Sequence, residues 1–97
     1  MFEDCKSLKK IYIPTGVERI ELNCFTNCFS LERLKLPRSI KEINAYAFAS
    51  CTSLKAISYE GTMEEWRQQV HCGTYAWLRV PTKTIECIDG TTRLRND

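Results

Sequence analysis

The groups with most chemical potential in this chain are its six cysteines and its single histidine. Cys24 and Cys28 sit close together in the stretch CFTNCFSLERLKLP, and His71 directly precedes Cys72. Thiols become metal ligands, redox pairs or nucleophiles only when suitable partners converge on them. A structural zinc site needs four converging ligands, and one histidine allows no two-histidine set. A thiol nucleophile needs a base brought from a separate segment. Sequence neighbours such as His71 and Cys72 usually point apart, so two ordinary loop residues are the simpler reading. The four glycines are scattered, and no phosphate-cradling glycine motif is present. Glu64-Glu65 is a carboxylate pair at a helix start, where capping accounts for it. No catalytic, cofactor-binding or metal-ligating residue is therefore assigned. A thiol-dependent enzyme remains the chemical alternative, with a fast, low-pKa cysteine as its signature.

The remaining thiols are explained by the element that positions them. Laid over itself at an offset of 23, the chain aligns Phe2, Phe25 and Phe48, then Cys5, Cys28 and Cys51. Ser7, Ser30 and Ser53 follow, with Leu8, Leu31 and Leu54, and then Ile11, Leu34 and Ile57. Ile13, Leu36 and Tyr59 match, Pro14 matches Pro37, and Val17, Ile40 and Met63 align before Ile20, Ile43 and Trp66. A short repeat of this kind predicts an α/β-type solenoid, because one coil cannot bury its own apolar residues whereas stacked coils can. The segment L-x-x-I-x-I is a strand of the leucine-rich-repeat type. Leu8, Ile11 and Ile13 are expected to face inward, with Lys10 and Tyr12 outward. Pro14 and Pro37 lack an N–H and end the pairing. The return side is expected to be irregular or to form short helical turns. Cys5, Cys28 and Cys51 then occupy one buried ladder column. Parallel Cβ vectors disfavour bridging within it, and Cys24 is a small packing residue.

The pattern F-x-x-C-x-S-L-x-x-I-x-I-P-x-x-V-x-x-I resembles the BspA-like leucine-rich repeat family. Phe25, Phe48, Cys28, Cys51, Leu31, Leu54 and Pro37 carry the resemblance, and Cys24 and Glu60 depart from the family's alanine and proline. Tyr59, Gly61, Thr62, Trp66, Cys87, Asp89 and Gly90 are similar to its C-terminal segment. The resemblance implies bacterial surface or secreted proteins, some of them adhesive. Extracellular or cell-surface location follows from it alone, since MFEDCKSLKK has no apolar signal region.

Beyond Tyr59 a C-terminal cap is expected. Thr62 and Glu65 form a capping box for a helix over 62–70. Met63, Trp66 and Val70 share its apolar face, and Met63 and Trp66 continue the repeat columns. Residues 74–81 are expected as a loop folded over the end of the stack. Asp89-Gly90 predicts a type I′ hairpin over 83–95, with Ile88 facing Thr91, Glu86 facing Arg93 and Ile85 facing Leu94. Repeats over 1–60 and a cap over 61–97 would form one structural unit. A Cys72–Cys87 bridge is an option if the protein is exported. The first copy is incomplete, which predicts upstream coils, and its open edge invites self-association.

A net charge of +2 over 97 residues does not by itself point to nucleic acid or to a membrane surface. No apolar run approaches the roughly 20 residues of a membrane-spanning helix. What remains is a mildly basic face of outward strand positions: Lys10, Tyr12, Arg33 and Lys35. Glu32 interrupts its charge, and the face has a single aromatic, which argues against nucleic acid. The expected function is a non-catalytic protein-interaction module with an unidentified protein ligand. An architectural spacer with no ligand of its own is the second reading.

Overall fold

The computed structural model describes residues 8–94. Its elements are β1 (Lys10–Tyr12), β2 (Arg19–Ile20), β3 (Arg33–Leu36), β4 (Glu42–Ile43), β5 (Ala56–Tyr59), α1 (Met63–Gln69), β6 (His71–Cys72), β7 (Thr84–Cys87) and β8 (Gly90–Arg93). Alternation of apolar and polar residues produces the longer strands: in β3 and β7 every second side chain is buried and the others are exposed. A five-stranded sheet runs in the order β1-β3-β5-β7-β8 and a three-stranded sheet in the order β2-β4-β6. All pairings are parallel except β7 with β8.

The repeat period sets the register. Lys10 lies beside Arg33 and Arg33 beside Ala56, while Ile11, Leu34 and Ile57 share one inner row. Between the two sheets lies an apolar core, and no polar or charged residue among those described is buried in it. Leu31, Leu54, Cys28 and Cys51 are fully buried. Leu8 is not: it is 38% exposed, so the first coil does not enclose it as its counterparts are enclosed. Ile11, Ile13 and Val17 are partly buried against the same core. Phe2, Cys5 and Ser7 of the alignment lie outside the described residues.

The return side is more regular than the sequence implies. Arg19-Ile20, Glu42-Ile43 and His71-Cys72 pair as a second parallel sheet. Beyond it, Asn23, Phe25 and Asn27 donate their N–H groups to the carbonyls of Ala45, Ala47 and Ala49 at 3.3, 2.7 and 3.0 Å. Tyr46, Phe48 and Ser50 repeat that ladder onto Thr74, Ala76 and Leu78 at 3.2, 2.9 and 2.7 Å. The same backbone positions turn left-handed in each coil: Asn23 and Asn27, Tyr46 and Ser50, Tyr75 and Arg79 all have positive φ. This places two tyrosines and an arginine in a region L-residues seldom occupy, held there by the stacking of the coils.

Residues 74–81 are therefore not a loop over the stack's end; they are the return side of a further coil. The column Ile20–Ile43 continues at Cys72, not at Trp66. Helix α1 is the reason: it is inserted between β5 and β6, lengthening this coil and moving the later columns downstream. Trp66 is buried, but it meets Tyr59 at 5.4 Å between ring centroids. The helix starts as the capping box predicts. The Thr62 hydroxyl accepts from the Glu65 N–H at 3.1 Å, and Glu65 Oε1 accepts from the Thr62 N–H at 2.9 Å.

The hairpin register also differs from expectation. Cys87 faces Gly90, Glu86 faces Thr91, Ile85 faces Thr92 and Thr84 faces Arg93, so Ile88-Asp89 is the turn. Neither of these two residues has positive φ, which excludes type I′. Two tertiary hydrogen bonds hold this turn: Ile88 N–H donates to the Gly61 carbonyl at 3.0 Å, and Asp89 Oδ1 accepts from the Met63 N–H at 2.9 Å. Gly90 has φ +146°, a backbone that L side chains rarely adopt, and a Cβ there would press on the Met63 methyl at 3.0 Å.

Candidate interaction face

The outward side of the five-stranded sheet collects the four residues singled out from the sequence. Lys10 and Arg33 stand in one row with Ala56. Tyr12 and Lys35 stand in the next row with Ser58, which pairs with Glu86, which in turn faces Thr91. Tyr12 is 66% exposed, and Lys10, Arg33 and Lys35 are also exposed. Strand alternation puts them there: their neighbours Leu34 and Leu36 face the core. A depression of about 410 Å³ lies over Ala56 and Ser58, with Arg33 and Lys35 on one side and Thr84 and Glu86 on the other.

The last two residues were not legible as part of this face. Their signal is the alternation of T-I-E-C in β7, which matches A-I-S-Y in β5, but a constant repeat offset does not find it. Two ion pairs border the depression, Lys35–Glu60 at 3.6 Å and Lys55–Glu32 at 3.8 Å. Both are solvent-exposed contacts of the kind worth about 0–1 kcal/mol. Among the described residues no carboxylate pairs with Lys10 or Arg33.

The thiols are placed for packing. Cys24, Cys28, Cys51, Cys72 and Cys87 are all buried, and the Cys51 thiol donates to the Phe25 carbonyl at 3.2 Å. Cys72 and Cys87 are not bridged to each other. Burial, and then the charge of Asp89, push the Cys87 thiol above its ordinary pKa, the direction opposite to activation. His71 is exposed while Cys72 faces the core, so β6 directs the two to opposite sides. Among the described residues no group of three or more histidine, cysteine, aspartate or glutamate side chains could hold a metal ion. No helix among them is long and apolar enough to cross a membrane.

A second cluster ties the helix to the coil beneath it. Arg38 Nε donates to Glu65 Oε2 at 2.9 Å. Tyr59 Oη lies 3.5 Å from the Arg38 carbonyl. The Arg38 hydrogen bond, helped by the Thr62 N–H, holds the Glu65 carboxyl below its usual range. These groups are already hydrogen-bonded to one another, and their arrangement is that of a clasp.

Parallel strands in register, a second sheet on the return side and an apolar interior define a leucine-rich-repeat fold. The chain belongs to the BspA type leucine rich repeat family, whose model matches residues 1–89. A solved structure of a leucine rich cell surface protein from Faecalibacterium prausnitzii A2-165 is similar to it, at 39% sequence identity and a TM-score of 0.65. That match covers 68% of this chain and 17% of the neighbour, so the chain spans about a sixth of the protein it resembles. No curated protein matches the chain.

Proposed function

We propose that this chain is a non-catalytic interaction module that binds protein through the outward side of its five-stranded sheet. Exposed Tyr12, Arg33 and Lys35, which line a depression over Ala56 and Ser58, with exposed Lys10 beside Arg33 in the same row, carry this reading. Repeat stacks present such extended faces to partners. Under the same proposal the coils form a solenoid, and α1 with the β7–β8 hairpin closes its end. The antiparallel turn into β8 supports the cap, because it interrupts the parallel pairing by which further coils would add. The likeness to a cell surface protein supports placement at a bacterial surface; adhesion enters this proposal only from the resemblance to the repeat family.

The test replaces Lys10, Tyr12, Arg33 and Lys35 together with alanine. Binding to immobilised matrix and serum proteins is then measured by surface plasmon resonance. Loss of a response that the unaltered chain gives is the expected result. A response that survives all four substitutions, with the fold intact by circular dichroism, overturns this face as the binding surface, and no response from the unaltered chain leaves it as an architectural spacer.

A further inference from the structure

The depression over β5 has two unlike walls, and they constrain what can lie in it. On the β3 side stand Arg33 and Lys35, two residues apart on the same face of one strand and hence about 6.6 Å apart along it. On the β7 side stand Thr84 and Glu86, offering hydroxyl and carboxylate groups. The floor is Ala56 and Ser58, too short to fill the space between strands that lie about 4.8 Å apart on either side. An extended chain lying along this trough points alternate side chains to opposite edges, with the same two-residue repeat as the strand beneath it.

We propose that the occupant of this trough is an extended protein segment carrying acidic side chains at positions i and i+2, alternating with small hydroxyl or amide residues. The two carboxylates meet Arg33 and Lys35, and the intervening polar residues meet Thr84 and Glu86. This inference rests on the reading of the sheet as an interaction face and names the chemistry of its partner. Arg33 can donate two parallel N–H bonds to a carboxylate and has no ion-pair partner of its own among the described residues. The weak, exposed contact of Lys35 with Glu60 is readily exchanged for a new one. Glu86 disfavours a continuous polyanion. A nucleic-acid strand, charged along its whole length, would bring phosphates against it, whereas a segment acidic on one edge only would not.

The test titrates the isotopically labelled chain with three probes, followed by amide chemical shifts. They are a short peptide alternating glutamate and serine, its lysine–serine counterpart, and a short oligothymidylate. The glutamate–serine peptide is expected to move Arg33, Lys35, Ala56 and Ser58. Its affinity is expected to fall at least about tenfold in the Arg33→Glu/Lys35→Glu variant, and to fall steeply towards about 1 M salt, where the Debye length is about 3 Å. Ala56→Trp, or Ser58→Tyr should that variant not fold, is expected to block the trough. Glu86→Lys is expected to admit oligothymidylate.

A lysine–serine peptide that moves the same residues equally well overturns the acidic assignment while leaving the sheet an interaction face. Oligothymidylate binding to the unaltered chain overturns it in favour of nucleic acid. If no probe shifts these amides, the assignment fails by itself, and the broader reading is decided separately by the fourfold alanine variant.

Discussion

Phe48 lies between two near-parallel rings, Phe25 at 5.1 Å and Trp77 at 4.9 Å between centroids, each tilted by only 5°. It is fully buried. Truncation to alanine would remove about 3–5 kcal/mol, close to the whole stability of a domain near the lower limit of about 5 kcal/mol. Leucine is the better probe. It keeps apolar bulk at about 1.5 kcal/mol or less and loses only the ring-on-ring term, about 0.5–1.5 kcal/mol per pair. Phe48→Leu breaks both stacks and is expected to cost about 1–4.5 kcal/mol. Two double-mutant cycles, Phe25→Leu with Phe48→Leu and Phe48→Leu with Trp77→Leu, isolate the pair terms. Urea unfolding followed by far-ultraviolet circular dichroism reads each variant without relying on tryptophan emission. If the segment around Trp77 is a true coil of the stack, both cycles give coupling of about 0.5–1.5 kcal/mol. The Phe25/Trp77 pair, which meets only through the shared Phe48 ring, should couple more weakly than either stacked pair. Zero coupling between Phe48 and Trp77, beside a normal Phe25–Phe48 value, would refute the account of residues 74–81 as a continuing coil.

The clasp on helix α1 makes a pH prediction. Glu65 titrates below its usual value in the folded chain, so its contribution is complete above about pH 4.5, the ordinary glutamate value, and is lost as pH falls through its lower folded value. The stability difference between the unaltered chain and Glu65→Gln should therefore be flat at neutral pH and shrink below about pH 4.5 in urea titrations. A difference that grows on acidification contradicts it. Thr62→Ala removes the other half of the capping box and should cost about 1 kcal/mol. Arg79, exposed at φ 65°, should be replaced by asparagine with a gain of up to about 1 kcal/mol in thermal unfolding, because asparagine tolerates that backbone better. Cys87 should react slowly with a thiol reagent at neutral pH, as its burial implies; rapid labelling of the native chain would revive a thiol-based chemistry.

Much of the fold was legible because stacked coils repeat their environment, so equivalent residues share a chemical character. That logic placed Arg33 beside Lys10 and Leu34 beside Ile11 as the pairing shows, and it assigned Cys28 and Cys51 to packing. It failed where the spacing changes. An alignment at fixed offset pairs Ile43 with Trp66, whereas the inserted helix carries the equivalent position to Cys72. A local clue was present: Tyr75-Ala76-Trp77 echoes Tyr46-Ala47-Phe48, and the two tyrosine rings lie 5.6 Å apart. The hairpin register had no comparable clue. Asp-Gly favours a type I′ turn locally, but the bonds of Ile88 to Gly61 and of Asp89 to Met63 draw on atoms distant in sequence.

In β3 and β5 the sequence alone determined which side chains are inside and which strand positions face outward, since both follow from a two-residue alternation nested in a 23-residue repeat. Tertiary structure alone decided how the last coil continues past the helix, where the final turn falls, and that Thr84 and Glu86 complete the face begun by Arg33 and Lys35. The physical reason is that periodicity records an average environment, whereas a register shift is set by individual hydrogen bonds between segments that meet only once the chain has folded.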